Sequence, residues 1–321
     1  MGRTEDVMFD DAWSLARLNS LGLDGATPLS SGMEGRVLRL PEAKIAKVWF
    51  VYAVDDLARL QSFYQVLGTL NLSFRTPEIL SVHFVDGVAI TIERELPGRP
   101  MRDFVSMDDG SVAPFAEEAL LTILGSLSAA SVHGPVPELP MLGVRFLGIQ
   151  SGRTWSQGLL EVLSAKVARF GEQLRASVPD FDWILERVAL HLIRLPEIAP
   201  RIVHGDLTPE NILLDDHGNL TAVLDWGMVT CLGDPAFDAS ISAGIFNMYG
   251  ANAAMMESHL RRVYAEKLGH GIDRLRLYRA VIAIHSSNAF SADGSDGHYA
   301  WCVATLVRQD VRDALSKNFI A

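Results

Sequence analysis

Asp206, Asn211 and Asp225 stand close together in the stretch IVHGDLTPENILLDDHGNLTAVLDWG, among short apolar runs. The runs ILL (212–214) and LTAVLD (220–225) have the length and composition of strands, and DDHGN between them supplies the Asp, Gly and Asn of a turn. A hairpin centred near Gly218 sets Asn211 and Asp225, seven residues either side, across from each other at its open end. One neutral and one charged hard oxygen ligand so placed suit a magnesium ion, which keeps waters and phosphate oxygens in its remaining positions. Asp206, five residues before Asn211 on the entering loop, is placed to address whatever is bound against that metal.

The elements that must hold these residues fall into two halves. Residues 27–50 read as strand, turn, strand, with PEA as the turn; Asp55 to Leu67 has the apolar spacing of a helix; EILSVHFVDGVAITIEREL reads as two strands joined at Asp86-Gly87. Beyond LPGRP (96–100) the pattern changes to helices over Val112–Ser131, Gln157–Ala176, Phe181–Leu195, and the regions 239–269 and 272–292. The expectation is a small sheet-rich lobe, residues 1–97, followed by a large helical lobe, residues 98–321, with a binding cleft between them.

Composition narrows the partners. Lys+Arg 28 against Asp+Glu 39 gives a formal charge of -11, which argues against nucleic acid and anionic membranes and suits neutral or cationic small molecules. Cys231 and Cys302 form neither a metal-ligand spacing nor a disulfide framework, so a reducing compartment is expected. The acidic N-terminus has no apolar signal region, which adds to the expectation of a cytoplasmic protein. The uncharged run from Ala239 to Met256 contains Ser, Asn and Gly and reads as a buried Ala-rich helix, not a membrane span.

HGDLTPEN at 204–211 and LDWG at 224–227 resemble the catalytic and metal-binding motifs of the aminoglycoside phosphotransferase and choline kinase group, relatives of the protein kinases. GDPAFD at 233–238 extends the resemblance, as do, more loosely, the Gly-rich turn and IAK of the first half. The resemblance implies an α+β, bilobal protein-kinase-like fold that transfers the terminal phosphoryl of ATP or GTP to a hydroxyl of a small molecule. It makes Asp206 the catalytic base and Asn211 and Asp225 the Mg2+ ligands. Thr208 stands where protein kinases usually carry Lys, HGD replaces HRD and no APE follows, so a small-molecule acceptor is favoured over a protein. An antibiotic or similar natural product leads; a choline-type primary metabolite and a non-catalytic nucleotide-binding module are the alternatives. His204 is expected to scaffold the loop through hydrogen bonds.

For the nucleotide, Gly32 and Gly35 in SSGMEGRV lie in a turn whose backbone N–H groups could cover phosphates, though G-x-x-G alone is ordinary turn chemistry. Lys47, on an apolar strand, needs an anionic partner and matches the family's phosphate-binding Lys; Lys44, beside the turn, is the alternative. The acid that should pair with Lys47 from the next helix is missing: Leu60 and Gln61 occupy the place, and Asp56, one turn earlier, is the substitute, unless it merely favours the helix dipole. Glu93 to Leu96 falls at the junction of the lobes, with Leu96 the expected backbone contact to the base. Asp234 and Asp238 read as caps and anchors of the following helix. Asp293, Asp296 and His298, a polar island in the C-terminal region, are the candidates for acceptor binding; a solvated loop is the competing reading, and the rest of a calcium-loop pattern is absent.

Overall fold

The computed structural model describes residues 10–32, 35–50, 52, 54–141, 144–145, 152–227 and 229–318. Its first half is a five-stranded antiparallel sheet in the order β1-β2-β3-β5-β4, from β1 (Thr27–Ser31), β2 (Gly35–Leu40), β3 (Lys44–Trp49), β4 (Ile79–Val85) and β5 (Val88–Arg94). The β4–β5 turn is the expected Asp86-Gly87, both in the left-handed region at φ 50° and 83°, which a tight two-residue hairpin requires. Between β3 and β4 runs α2 (Val54–Thr69). A preceding helix, α1 (Asp11–Ser20), is not among the elements expected from the sequence; Asp10 caps it by accepting from Trp13 N at 2.8 Å.

The two faces of the sheet serve different cores. Ala46, Val48, Ile90 and Ile92 point one way and pack with Leu18 of α1 and Leu38 and Leu40 of β2. Trp49 and Ala89 point the other way and join a core that runs through Leu57, Leu60, Phe63 and Leu67 of α2 into the second half of the chain. This alternation is the strand period of two made visible, and it puts every inward side chain of β3 and β5 on the side facing the rest of the protein.

The second half begins with β6 (Arg99–Pro100), which pairs with β10 (Ile212–Leu214), itself paired with β11 (Leu220–Val223). Arg75, from the loop before β4, also reaches this sheet, its N–H donating to Thr221 O at 3.0 Å and its carbonyl accepting from Val223 N at 3.0 Å. Helices α3 (Pro114–Ala129), α4 (Trp155–Ser177), α5 (Phe181–Arg194), α6 (Pro235–Ile245), α7 (Ala253–Leu268), α8 (Ile272–Ser286), α9 (Gly297–Val307) and α10 (Gln309–Ser316) make up the bulk. Short ladders β7 (Pro140–Met141) with β8 (Val144–Arg145), and β9 (Arg201–Val203) with β12 (Cys231–Gly233), complete it. The uncharged run from Ala239 is α6 and the start of α7, with α6 almost wholly buried among its neighbours. Among the described residues no helix is long and apolar enough to cross a membrane.

Candidate active site

The loop from His204 to Asn211 connects β9 to β10 and is held from three directions. The carboxylate of Asp238, on α6, accepts from His204 N at 2.8 Å and Gly205 N at 2.9 Å. Asp238 therefore reaches back to fix the loop instead of capping its own helix, a role that falls to Asp234, which accepts from Ala236 N at 2.9 Å. Gly205 sits at φ 82° with Val229 so close that an added Cβ would lie 2.5 Å from it, so both conformation and space demand glycine. His204 is fully buried: its Nε2–H donates to Leu224 O at 2.8 Å, which leaves Nδ1 to accept from Asp206 N at 3.1 Å. Burial drives its pKa down to about 4, so the ring is neutral and serves as a two-ended strut between the loop and the end of β11.

Within the loop, Asn211 Nδ2 donates both to Asp206 O and to Asp206 Oδ2, each at 2.9 Å. The amide thus locks the Asp206 carboxylate in one orientation, and the assignment of nitrogen to that side turns the Asn211 carbonyl oxygen away from it. The hairpin register differs by one from the sequence expectation. Ile212 faces Val223, so Asn211 is opposite Leu224, whose N–H donates to Asn211 O at 2.8 Å, and Asp225 lies one residue beyond. The cause lies in the turn: Asp215 N donates to Asn219 O at 2.9 Å, which centres the hairpin on His217 instead of Gly218 and by itself would set Asn211 opposite Val223. A bulge at Leu213/Leu214 that skips Thr221, whose hydroxyl lies within hydrogen-bond reach of Pro97 O at 2.6 Å and Leu213 O at 3.0 Å, moves the pairing one residue back toward Asp225. Asp225 itself has φ 60°, a left-handed step that takes it out of the strand alternation.

That step carries the Asp225 carboxylate to the first half of the chain, where Oδ1 meets Lys47 Nζ at 3.1 Å. The ammonium holds the Asp225 carboxyl below the usual carboxylate range. Lys47 also lies over the Trp49 ring, 4.7 Å from its centroid. Lys44, by contrast, pairs with Glu42 beside the turn. Trp226, next to Asp225, is buried against Phe63 of α2 and the His204 ring, so the apolar member of this segment pins its charged neighbour. Asn211 thus holds Asp206 and Lys47 holds Asp225, and the two pairs are joined along the backbone by the Leu224 N to Asn211 O bond.

The other expected residues are placed as follows. Asp56 is paired with Arg59 at 2.9 Å, one helical turn along α2, so its carboxylate is engaged on its own helix, and Asp225 is an acid in contact with Lys47. Sequence reasoning missed a second acid nearby: Glu93, assigned there to the lobe junction, has its side chain buried on the inner face of β5 beside Lys47. Leu96 follows β5 in the link to β6, half-buried. Gly35 opens β2 so close to β3 that a Cβ would stand 2.1 Å from Val48 O; Gly32 N donates to Gly35 O at 2.9 Å, and residues 33–34 between them lie outside the described residues. In the C-terminal region Asp293 spends its carboxylate on Ser291 and Ser295 of its own loop, and Asp296 caps α9 by accepting from Tyr299 N at 2.7 Å. His298 is buried, with Nδ1 at 3.0 Å from Tyr249 Oη and Nε2 at 3.0 Å from Ser286 Oγ.

The donor set fits a magnesium ion. Asn211 offers an amide oxygen once its nitrogen is committed to Asp206, and Asp225 offers an ionised carboxylate. Among the described residues no cluster of three His, Cys, Asp or Glu side chains could hold a metal by itself.

A small antiparallel sheet with helices α1 and α2, a larger helical part, and a loop Asp locked to an Asn make up a kinase-like fold. The chain belongs to the phosphotransferase enzyme family, whose model matches residues 25–278. It is 28% identical over 263 residues to viomycin phosphotransferase of Streptomyces vinaceus, covering 77% of this chain and 81% of that one. Its fold is shared with the gentamicin complex of APH(2")-IIa (TM-score 0.62, 15% identity, 94% of this chain and 97% of that one). It is also shared with the macrolide 2'-phosphotransferase MphH of Brachybacterium faecium (TM-score 0.58, 19% identity, 93% and 98%).

Proposed function

We propose that this phosphotransferase is a magnesium-dependent small-molecule kinase of the cytoplasm, moving the γ-phosphoryl of ATP or GTP to a hydroxyl of an antibiotic or similar natural product. The observation that carries the reading is the Asp206 carboxylate held by Asn211 while Asp225, two residues past β11, is held by Lys47 from the other half of the chain. Phosphoryl transfer asks an enzyme for positioning and charge neutralisation more than for covalent chemistry, and this arrangement offers both.

Asp206 accepts the proton of the acceptor hydroxyl as its oxygen bonds to the γ-phosphorus and the bond to the nucleoside diphosphate breaks. Asn211 and Asp225 would hold magnesium, which would neutralise phosphate charge. Lys47 neutralises phosphate charge from the first half, and the backbone around Gly32 and Gly35 covers the phosphates, with Leu96 meeting the base. The charge of -11 favours amine-bearing acceptors, and the relative named for viomycin makes peptide antibiotics a first class to test beside aminoglycosides and macrolides.

The test is a magnesium-dependent turnover screen with ATP and with GTP against viomycin, aminoglycosides, macrolides, choline and amino alcohols, read as a mass gain of one phosphate. A product that disappears with Asp206→Ala, while nucleotide still binds, is the expected result. Turnover unchanged by that substitution would remove Asp206 from the reaction; a hit on choline alone would move the acceptor to primary metabolism.

A further inference from the structure

We infer that Glu93, a carboxylate on β5, is the positioning partner of Lys47, doing from the sheet what an acid on α2 would otherwise do from the helix. The inference rests on the reading of Lys47 as a phosphate-binding residue. Its first ground is register. Lys47 faces Thr91 and Ile45 faces Glu93 in the β3–β5 ladder, so Glu93 lies diagonal to Lys47 on the same inner face.

The second ground is the chain of contacts that fixes the carboxylate. Glu93 is 3% exposed, and its Oε1 accepts from Thr91 Oγ1 at 2.8 Å. Thr91, fully buried, accepts in turn from Trp49 Nε1 at 3.0 Å, and the Trp49 ring carries the Lys47 ammonium on its face. Trp49, Thr91 and Glu93 thus form one hydrogen-bonded row beneath the lysine. Such a row is costly to bury unless a cation compensates it. Burial raises the Glu93 carboxyl and Lys47 is the cation that opposes the rise.

The third ground is what α2 presents instead. Leu57, Leu60 and Phe63 fill its inward face, all buried in the common core, and Asp56 is bound to Arg59. A second anion at Lys47 also answers a chemical need. Asp225, 3.1 Å from the ammonium, is the proposed metal ligand, so a lysine aligned by Asp225 alone would lose its guide when that carboxylate turns to magnesium. Glu93, anchored behind it, keeps its place through the cycle.

Calorimetric titration of ATP with magnesium into wild type, Glu93→Gln and Glu93→Asp tests this, with steady-state kinetics on whichever acceptor the screen yields. Glu93→Gln is isosteric and still accepts the Thr91 hydrogen bond, so its melting temperature is expected near wild type. Its ATP affinity is expected to fall about tenfold, with kcat/KM for nucleotide following and KM for the acceptor unchanged. Glu93→Asp, which keeps the charge, recovers part of the loss. Glu93→Gln binding ATP within twofold of wild type would overturn the inference, and so would equal losses in both variants accompanied by a lower melting temperature. Wild type that binds neither ATP nor, in the same titration, GTP would instead sink the nucleotide reading of Lys47 itself; if it binds GTP alone, the same comparisons are made with GTP.

Discussion

Two clusters of charge are built into this chain, and they differ in what they leave open. At the helices of the second half, Glu257 on α7 is 3% exposed and surrounded by guanidiniums: Arg308 at 2.6 Å, Arg279 at 3.4 Å and Arg261 at 3.8 Å. Arg308 and Arg261 continue to Asp310, each at 2.9 Å, and Arg279 lies 3.8 Å over the Trp301 ring. Burial works to raise the Glu257 carboxyl, and the three guanidiniums outweigh it and hold it below the usual range. That cluster closes on itself and clamps α7, α8 and the α9–α10 junction. At the lobe interface, Lys47 and Asp225 meet once, with side chains 20% and 42% exposed. A closed cluster fixes helices, whereas an open one presents charge to something that arrives.

The comparison breaks most visibly when one residue is removed from each. Asp206→Ala is expected to lower turnover by ~10²–10⁴ while the unfolding midpoint stays near wild type, because the role proposed for the carboxylate is chemical and the loop keeps its Asp238 and His204 supports. Glu257→Ala should do the reverse: a loss of about 3–5 kcal/mol in urea unfolding, since three guanidiniums are left buried without their acid, with kcat per folded molecule retained. Glu257→Ala with normal stability and lost activity would mean that the closed cluster transmits to the site instead of merely bracing it.

Which of these features the sequence reveals follows from how local their causes are. The sheet, its Asp86-Gly87 hairpin and the boundaries of α3, α4 and α5 follow from period and turn residues and are legible directly. The pairing of Asn211 with Asp225 was misjudged by one residue because the turn centres on His217 and not Gly218, and because the bulge at Leu213/Leu214, where the Thr221 hydroxyl meets Pro97 O, depends on a contact between distant segments. Asp238 and Glu93 escaped for the same reason. An Asp in the first turn of a helix looks like a helix-end charge, and a Glu at a strand end looks like the start of a linker. Only tertiary packing shows that one grips the His204–Asn211 loop across 34 residues of sequence and the other points inward beneath Lys47. The signal available for Glu93 was its place two residues after Thr91 in an otherwise apolar strand, hence on one face with it.

The His204–Asn211 loop carries a pair of titrations that sharpen the contrast, because the buried groups that brace it shift in opposite directions. His204 falls from 6.5 to about 4, so its share of stability is present above pH 6.5 and lost as pH falls toward 4, while the unfolded chain takes up the proton. Asp238 rises from 3.8 to about 6, so its share is present below pH 3.8 and lost as pH rises through 6. Between pH 4 and 6 the two slopes, each about 1.4 kcal/mol per pH unit, oppose one another in the wild type. Urea unfolding across that range should therefore show His204→Gln gaining stability relative to wild type as pH falls, and Asp238→Asn losing it. Curves parallel to wild type would show that neither group is shifted by its burial.

The smallest effect concerns Asp296, where a structural duty and a binding duty predict different readouts. As the cap of α9 it accepts from Tyr299 N at 2.7 Å, and Asp296→Ala should cost about 1 kcal/mol in urea unfolding, as lost caps do. Asp296→Asn keeps a capping oxygen and should restore most of that stability while removing the charge. If the carboxylate works only for its helix, the KM for an amine-bearing acceptor is the same in wild type and in Asp296→Asn. A KM that rises in the Asn variant at wild-type stability would instead assign the charge to the acceptor, joining α9 to the open cluster by function although the closed one holds its far end through Arg308.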